Sequence, residues 1–552
     1  MNRKNLTAAV LAGLAGVAGI AGTAQAVNMN PDGLGQVLIY PYYTANDGNQ
    51  TILSVVNTTN NAKAIKVRFL EGYNSREVLD FNLYMSEYDV WVAAIASADV
   101  CAGDCATQLV IPDSSCTVPY LYDSDMGYGT QEFLALAYTG DFEDGGPTGI
   151  GRAAEGHFEM IEMGTLTGTA ADNVRHDNSE GGTGEPADCM ALTDMWTDWD
   201  GTSDLGVWFE EADANANCEP YPVDVEDLDY RGCQAYSYTT QASGGLFGAA
   251  AVINSTNGTM FSYDAKALQG FDDTDDGIHF IPGTIYPSLN SGSVSESWVF
   301  FGVPQNQAVN LDYDLTVDAV SSVFMHETVM NEYTTDTDLN AATEWIVTFP
   351  TKNFYVDEYR MVREEINEEV CEDDDDDPET PDVCVNVPRA PFTNFFADED
   401  CEVVFLSTWD REENSPSTPE VPGNIRPPVV SPSLPACDPA VDPRCEEPVA
   451  PFQICHEVNI LRFGDEAIFG TPELDGETLV YMVDAPFMNG WASLDLGGTG
   501  RMDENGLLGL PVTGFAAYEF ENEFLSGGDV KANYGGLFQH KGNVRMGASA
   551  SQ

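Results

Sequence analysis

The groups in this chain best able to do chemistry are carboxylates, crowded into a few short segments. Asp272, Asp273, Asp275 and Asp276 fall within Phe271-Asp272-Asp273-Thr274-Asp275-Asp276-Gly277, and oxygen ligands gathered in a loop suit a hard cation such as Ca²⁺. In an EF-hand frame with Gly277 at the turn, Asp272, Thr274 and Asp276 take the first three ligand positions. The twelfth position is Gly283, where that loop needs a bidentate Glu, so an EF-hand is excluded and a simpler calcium loop stays a candidate beside a solvated, salt-screened surface. Asp224, Glu226, Asp227 and Asp229 form a second cluster. The run Glu372 to Asp377 forms a third; it lies between Cys371 and Cys384 and reads as a solvated, stapled loop.

Catalytic signatures fail on spacing. His326-Glu327 opens like a zinc-protease helix, but the second ligand position holds Met330. There is no Gly-Lys dipeptide for a phosphate-binding loop, and Gly33-Leu34-Gly35 runs on to Leu38 where a dinucleotide motif needs glycine. No G-x-S-x-G elbow is present, and His157, His176, His279, His326, His456 and His540 are scattered. No organic cofactor is expected. Glycoside hydrolysis needs only two carboxylates at a suitable separation, and among 90 acidic residues a sequence pair carries no information. Trp196, Trp199 and Trp208 are the side chains placed to stack on a sugar ring, with packing of their loop on a sheet as the competing role. Leu510-Pro511-Val512-Thr513-Gly514 matches a wall-sorting motif, yet no apolar span and basic tail follow, so it reads as a strand entered after a Pro turn.

These residues sit in a chain of 552 with 22 Lys and Arg against 90 Asp and Glu, a formal charge of -68. Residues 77–151, 176–230 and 267–351 contain no Lys or Arg. Nucleic-acid binding is excluded for want of a basic face, and docking on anionic lipid is disfavoured for the same reason. Clustered carboxylates lie inside one screening length, about 8 Å at physiological salt, so they call for divalent cations, high salt or solvated loops.

The first 26 residues read as a cleavable export signal. Arg3 and Lys4 are followed by the apolar stretch Leu6 to Ile20 and by Ala24-Gln25-Ala26. No later run is apolar enough to span a membrane as a helix. Twelve cysteines in an exported chain should be largely disulfide-bonded, and none has C-x-x-C spacing. Cys371 with Cys384 and Cys437 with Cys445 suit local bridges. A Cys401–Cys455 bridge would close residues 415–451, which hold 11 of the 30 prolines, as an extended excursion from a hairpin.

Alternating segments supply the elements. Val37 to Tyr43, Ile52 to Asn57, Ala64 to Leu70, Val78 to Tyr84 and Tyr88 to Ile95 are strands at roughly ten-residue spacing, the pattern of an antiparallel sandwich. Within the third, Ile65, Val67 and Phe69 take one face and Lys66 and Arg68 the other. Further strands are expected at Phe133 to Tyr138, His157 to Met163, Ser297 to Gly302, Trp345 to Phe349, Cys401 to Thr408, Ile454 to Phe463, Thr478 to Val483, Trp491 to Leu496 and Phe515 to Phe520. One helix is expected over Val320 to Tyr333, and Asn173 to Asp229 reads as a long decorated loop. The division that follows is a signal (1–26), an N-terminal β-sandwich with Cys-bearing acidic insertions (27–235) and a second β-rich block with one helix (236–370). An acidic and Pro-rich excursion (371–455) and C-terminal strands (456–552) complete it. The fold class is mainly β, antiparallel sandwiches with disulfide-stapled insertions.

The segments Ser54-Val55-Val56-Asn57-Thr58-Thr59-Asn60, Asp80-Phe81-Asn82-Leu83-Tyr84, Trp345 to Lys352 and Gly509-Leu510-Pro511-Val512 resemble exported β-sandwich proteins of Gram-negative bacteria described loosely as cell-surface proteins. The resemblance implies fold and location and supplies no functional residues. The expected protein is a non-catalytic component of the cell surface or extracellular matrix. Its role is structural or adhesive, its acidic loops are screened by divalent cations or salt, and its partners are further copies of itself, surface polysaccharide or other surface proteins. The alternative is a secreted carbohydrate-active hydrolase or sugar-binding module, marked by a cleft pairing two carboxylates at ~5–10 Å beside an aromatic platform.

Overall fold

The computed structural model describes residues 26–98, 106–179, 182, 184–197, 208, 234–235, 237–302, 307–360, 366, 368–372, 383–398, 401–412, 452–498, 500–522 and 532–547. The expected export signal apart from Ala26, the Asp224 to Asp229 cluster, Trp199, most of the Glu372 to Asp377 run, the proline-dense stretch and the Cys437 and Cys445 pair lie outside the described residues.

The five N-terminal alternating segments are strands Val37–Thr44, Asn49–Asn57, Lys63–Glu71, Glu77–Met85 and Val90–Ser97. They divide between two sheets, so the chain crosses from layer to layer as a sandwich requires. In one sheet Val37–Thr44 pairs with Glu155–Leu166, which pairs with Lys63–Glu71 and then Glu77–Met85, all antiparallel. In the other, Asn49–Asn57 lies between Val90–Ser97 and Leu246–Asn254. Strands from both sides of residue 236 therefore share this sheet. Leu38, Tyr40, Leu53, Val55, Val67, Trp91 and Val252 meet in the core between the two layers.

A second pair of sheets follows. Ala341–Thr348 is flanked by Val458–Phe463 and Thr513–Phe520. Asn489–Asp495 is flanked by Thr328–Thr334 and Glu402–Asp410. The Ala341–Thr348 strand is buried along its whole length. Ile346 joins the first core, while Trp345 and Val347 join the second with Val404 and Leu494. A strand covered on both faces has no solvent side, so its polar residues are bonded inside: Thr343 Oγ1 donates to the Thr334 carbonyl at 2.8 Å and Thr348 Oγ1 to the Pro41 carbonyl at 2.6 Å.

Three expectations fail. The helix occupies Thr316–Ser322, and Thr328–Thr334 is a strand. Thr328, Val329, Tyr333 and Thr334 are β-favouring, and pairing with Asn489–Asp495 overrides the local helical spacing. Phe133 to Tyr138 is not a strand; pairing stops at Glu132 and a 3₁₀ turn spans Leu136–Tyr138. The supposed loop after Asn173 contains the helix Cys189–Thr197. That helix is fixed by a Cys116–Cys189 disulfide to the Cys116–Val118 strand.

The second bridge joins Cys401 to Cys455, the pairing expected from sequence. It flanks the rung where Glu402 opposes Ile454, at one end of the pairing between Glu402–Asp410 and Phe452–Ile454. Cys371 and Cys384 stand directly opposite one another in their two-stranded ladder. Leu510–Pro511 and Thr513–Phe520 are strands, as the Pro-turn reading of that motif requires. Among the described residues no helix is long and apolar enough to cross a membrane.

Candidate functional site

The most distinctive chemistry is the disposition of charge. Lys66 and Arg68 alternate with apolar neighbours as expected, yet both are buried, as is every residue of Lys63–Glu71. Register explains how this is tolerated. Arg68 lies opposite Glu159 on one neighbouring strand and Asp80 on the other. Its Nη1 reaches Glu159 Oε1 at 2.6 Å and its Nε reaches Glu77 Oε2 at 2.6 Å. Lys66 pairs with Asp80 and also donates to the Thr284 carbonyl at 2.9 Å, while Lys63 Nζ lies 2.6 Å from Glu162 Oε1.

A second node is built on Arg152. Its guanidinium forks onto Glu71 at 2.8 and 3.0 Å and onto Asp144 at 2.8 and 2.7 Å, between the rings of Tyr73 and Tyr138. Glu71 also accepts the backbone N–H groups of Tyr73, Asn74 and Arg76. Burial raises the Asp144 carboxyl, but hydrogen bonds and charge from Arg152 outweigh it and hold that group below the usual range. Arg76 continues the network to Asp357 at 2.9 Å.

Seven cations, Lys63, Lys66, Arg68, Arg76, Arg152, Lys352 and Arg360, are thus interior. Among the described residues only Arg175, Arg411, Lys541 and Arg545 are exposed. Two of these four are in ion pairs, Arg175 with Glu87 and Arg545 with Glu327. Lys266, Arg389, Arg462 and Arg501 are half-buried, so among the described residues most cations are drawn at least partly inward and few stand fully exposed among the carboxylates.

The acidic loop singled out from sequence is divided by the fold. Asp272 is buried, with Oδ2 accepting from Thr274 at 2.7 Å, whereas Asp273, Asp275 and Asp276 are exposed. Among the described residues no three His, Cys, Asp or Glu side chains converge as a metal would require. Trp196 and Trp208 are buried, packing with Tyr84 and His279, so they offer no face to a sugar. Among the described tryptophans the most exposed is Trp491, 39% exposed and stacked at 4.2 Å on its half-buried cross-strand partner Trp409. Neither strand carries a local signal of that meeting; it arises from the register that sets Trp409 opposite Trp491 across two segments distant in sequence.

A cleft of about 430 Å³ gathers Asp314, Asp318, Asp503 and Glu504 with Tyr313, Tyr355 and Arg389. Asp318 is engaged by Arg389 and accepts from Tyr355 at 2.8 Å. Asp503 accepts the N–H groups of Asn505 and Leu507 and the Tyr313 hydroxyl at 2.8 Å. Burial raises both carboxyls. The Arg389 guanidinium lies over the Tyr355 ring at 5.3 Å, so that ring face is occupied. Two of the four carboxylates are committed to holding the fold, and the aromatic face beside them is covered. Compared with known proteins, the chain matches no family, no curated protein and no solved structure.

Proposed function

We propose that the protein is an exported, non-catalytic component of the cell surface or extracellular matrix, structural or adhesive in role, whose carboxylate exterior is screened by divalent cations or salt. The observation that carries this reading is the inward placement of its cations around Arg68 and Arg152. A surface left so nearly free of its own counter-charge associates with other acidic surfaces only through mobile cations. Cell fractionation with and without a calcium chelator at constant ionic strength tests it. Retention on cells and release by chelator is the expected result; a protein freely soluble outside cells under both conditions overturns the surface role.

The exposed Trp409–Trp491 ledge favours a second reading within the adhesive class, stacking on a polysaccharide. Trp491→Ala should then abolish retention on insoluble polysaccharide without lowering the melting temperature by more than a few degrees. Equal retention of both proteins removes this reading.

A further inference from the structure

A cavity of about 500 Å³ has a character opposite to the exterior. Its polar lining includes Lys266, Trp298, His326 and His540, and its apolar lining includes Val299, Phe324, Val329 and Val512. The volume lies within the roughly 300–1,000 Å³ of sites that enclose small organic ligands.

Two donors there lack the acceptors that this carboxylate-rich chain supplies elsewhere. The part-buried Lys266 ammonium donates to a neutral amide, Gln539 Oε1, at 2.8 Å, and makes no ion pair. By contrast Lys63, Lys66, Arg68 and Arg152 each hold a carboxylate. The Trp298 indole N–H is buried without a hydrogen-bond partner, a costly state that an incoming acceptor relieves. The histidines do not compete for an acceptor. His326 Nδ1 donates to the Phe324 carbonyl at 2.8 Å, and His540 Nε2 donates to the Ile346 carbonyl at 2.9 Å. The one acidic lining residue, Asp264, is exposed. Gly542 keeps the wall beside His326 thin, since a Cβ there would sit 2.2 Å from the ring.

We infer that this cavity binds a small amphiphilic carboxylate, its carboxylate on Lys266 and the Trp298 N–H and its apolar body against the Val and Phe lining. A neutral ligand leaves the ammonium without a direct ion pair, and a small inorganic anion leaves the apolar walls wet.

The test is calorimetric titration of the full, disulfide-intact chain with octanoate and with octanol, matched in length and differing in charge. Octanoate should bind at least tenfold more tightly than octanol. Lys266→Met should remove that preference and Lys266→Arg should retain most of it, while Trp298→Phe weakens octanoate severalfold. Equal affinities for the two probes on the unaltered protein, or no octanoate binding up to millimolar concentration, overturns the assignment without recourse to any variant. An unchanged preference in a folded Lys266→Met protein overturns it as well.

Discussion

At the scale of single residues, interior ion pairs and buried acids set the energetics. Removing one partner of a buried pair costs about 3–5 kcal/mol, because the other charge stays behind without compensation. Arg152→Met should approach that range, since it takes the guanidinium from both Glu71 and Asp144, leaving Asp144 with Arg76 and Glu71 with backbone N–H groups alone. Arg152→Lys should recover only part of the loss, a single ammonium being unable to form two forks. Chemical denaturation of the three proteins measures both effects. Glu155 is a different case: burial raises its carboxyl to about 8, although Tyr42 and Thr471 donate to it. The protonated form is the favoured one in the fold. Its contribution is intact below the usual carboxylate range and is lost as pH rises toward and through about 8. Burial likewise raises Glu519 to about 7, with the charge of Glu521 adding to the effect. Burial lowers His157, His279 and His456 to about 3 and His540 to about 4, so these groups oppose folding as pH falls below the ordinary histidine value. Stability should therefore peak between these limits. Glu155→Gln should match the parent near pH 5 and exceed it by on the order of 1–3 kcal/mol near pH 9, read from thermal melts. A parent-like profile across both pH values contradicts that role for Glu155.

At the scale of elements, the Cys401–Cys455 bridge closes a 54-residue separation at the base of the Glu402–Asp410 pairing. In the chain-entropy picture such a loop is worth about 4 kcal/mol. Cys401→Ser with Cys455→Ser should lower stability by about that amount and expose the strand pair to proteolysis first. An unchanged unfolding midpoint contradicts it. That bridge was legible because strand-like runs bracket the proline-dense stretch and a cysteine stands at each boundary. The N-terminal strands were legible for a similar reason, strict alternation broken by Asn, Asp and Gly turns. Ala250 to Asn257 repeats the pattern of Leu53 to Asn60, a strand running into Asn, Ser or Thr, Thr, Asn, and the likeness has a physical basis. Asn57 Oδ1 accepts the Thr59 N–H at 3.0 Å and Asn254 Oδ1 accepts the Thr256 N–H at 3.1 Å, so both strands end in the same side-chain turn. What alternation conceals is whether the polar face of a strand meets water. Lys66 and Arg68 give the pattern of a half-exposed strand, and only the arrival of Glu159 and Glu77 from other strands makes them interior. The Lys266 and Trp298 cavity is illegible for the same reason: its lining comes from segments spread between Met29 and Val544.

At the scale of the whole molecule, the seven interior cations are accompanied by eleven buried carboxyl groups, so the formal charge of -68 belongs largely to the exterior. The exterior repels itself, and that repulsion is screened by salt, whereas the buried pairs are screened much less. Mobile cations should therefore stabilise the folded protein. The most direct test is the thermal midpoint of the disulfide-intact protein at about 0.1 M and about 1 M NaCl, where the screening length falls from about 10 to about 3 Å. A further comparison replaces part of the sodium with calcium at matched ionic strength. The account predicts a midpoint that rises with salt and rises again with calcium. A midpoint that is flat or falls with salt would contradict it, because the exterior would then not be the unneutralised carboxylate surface on which the proposed role depends.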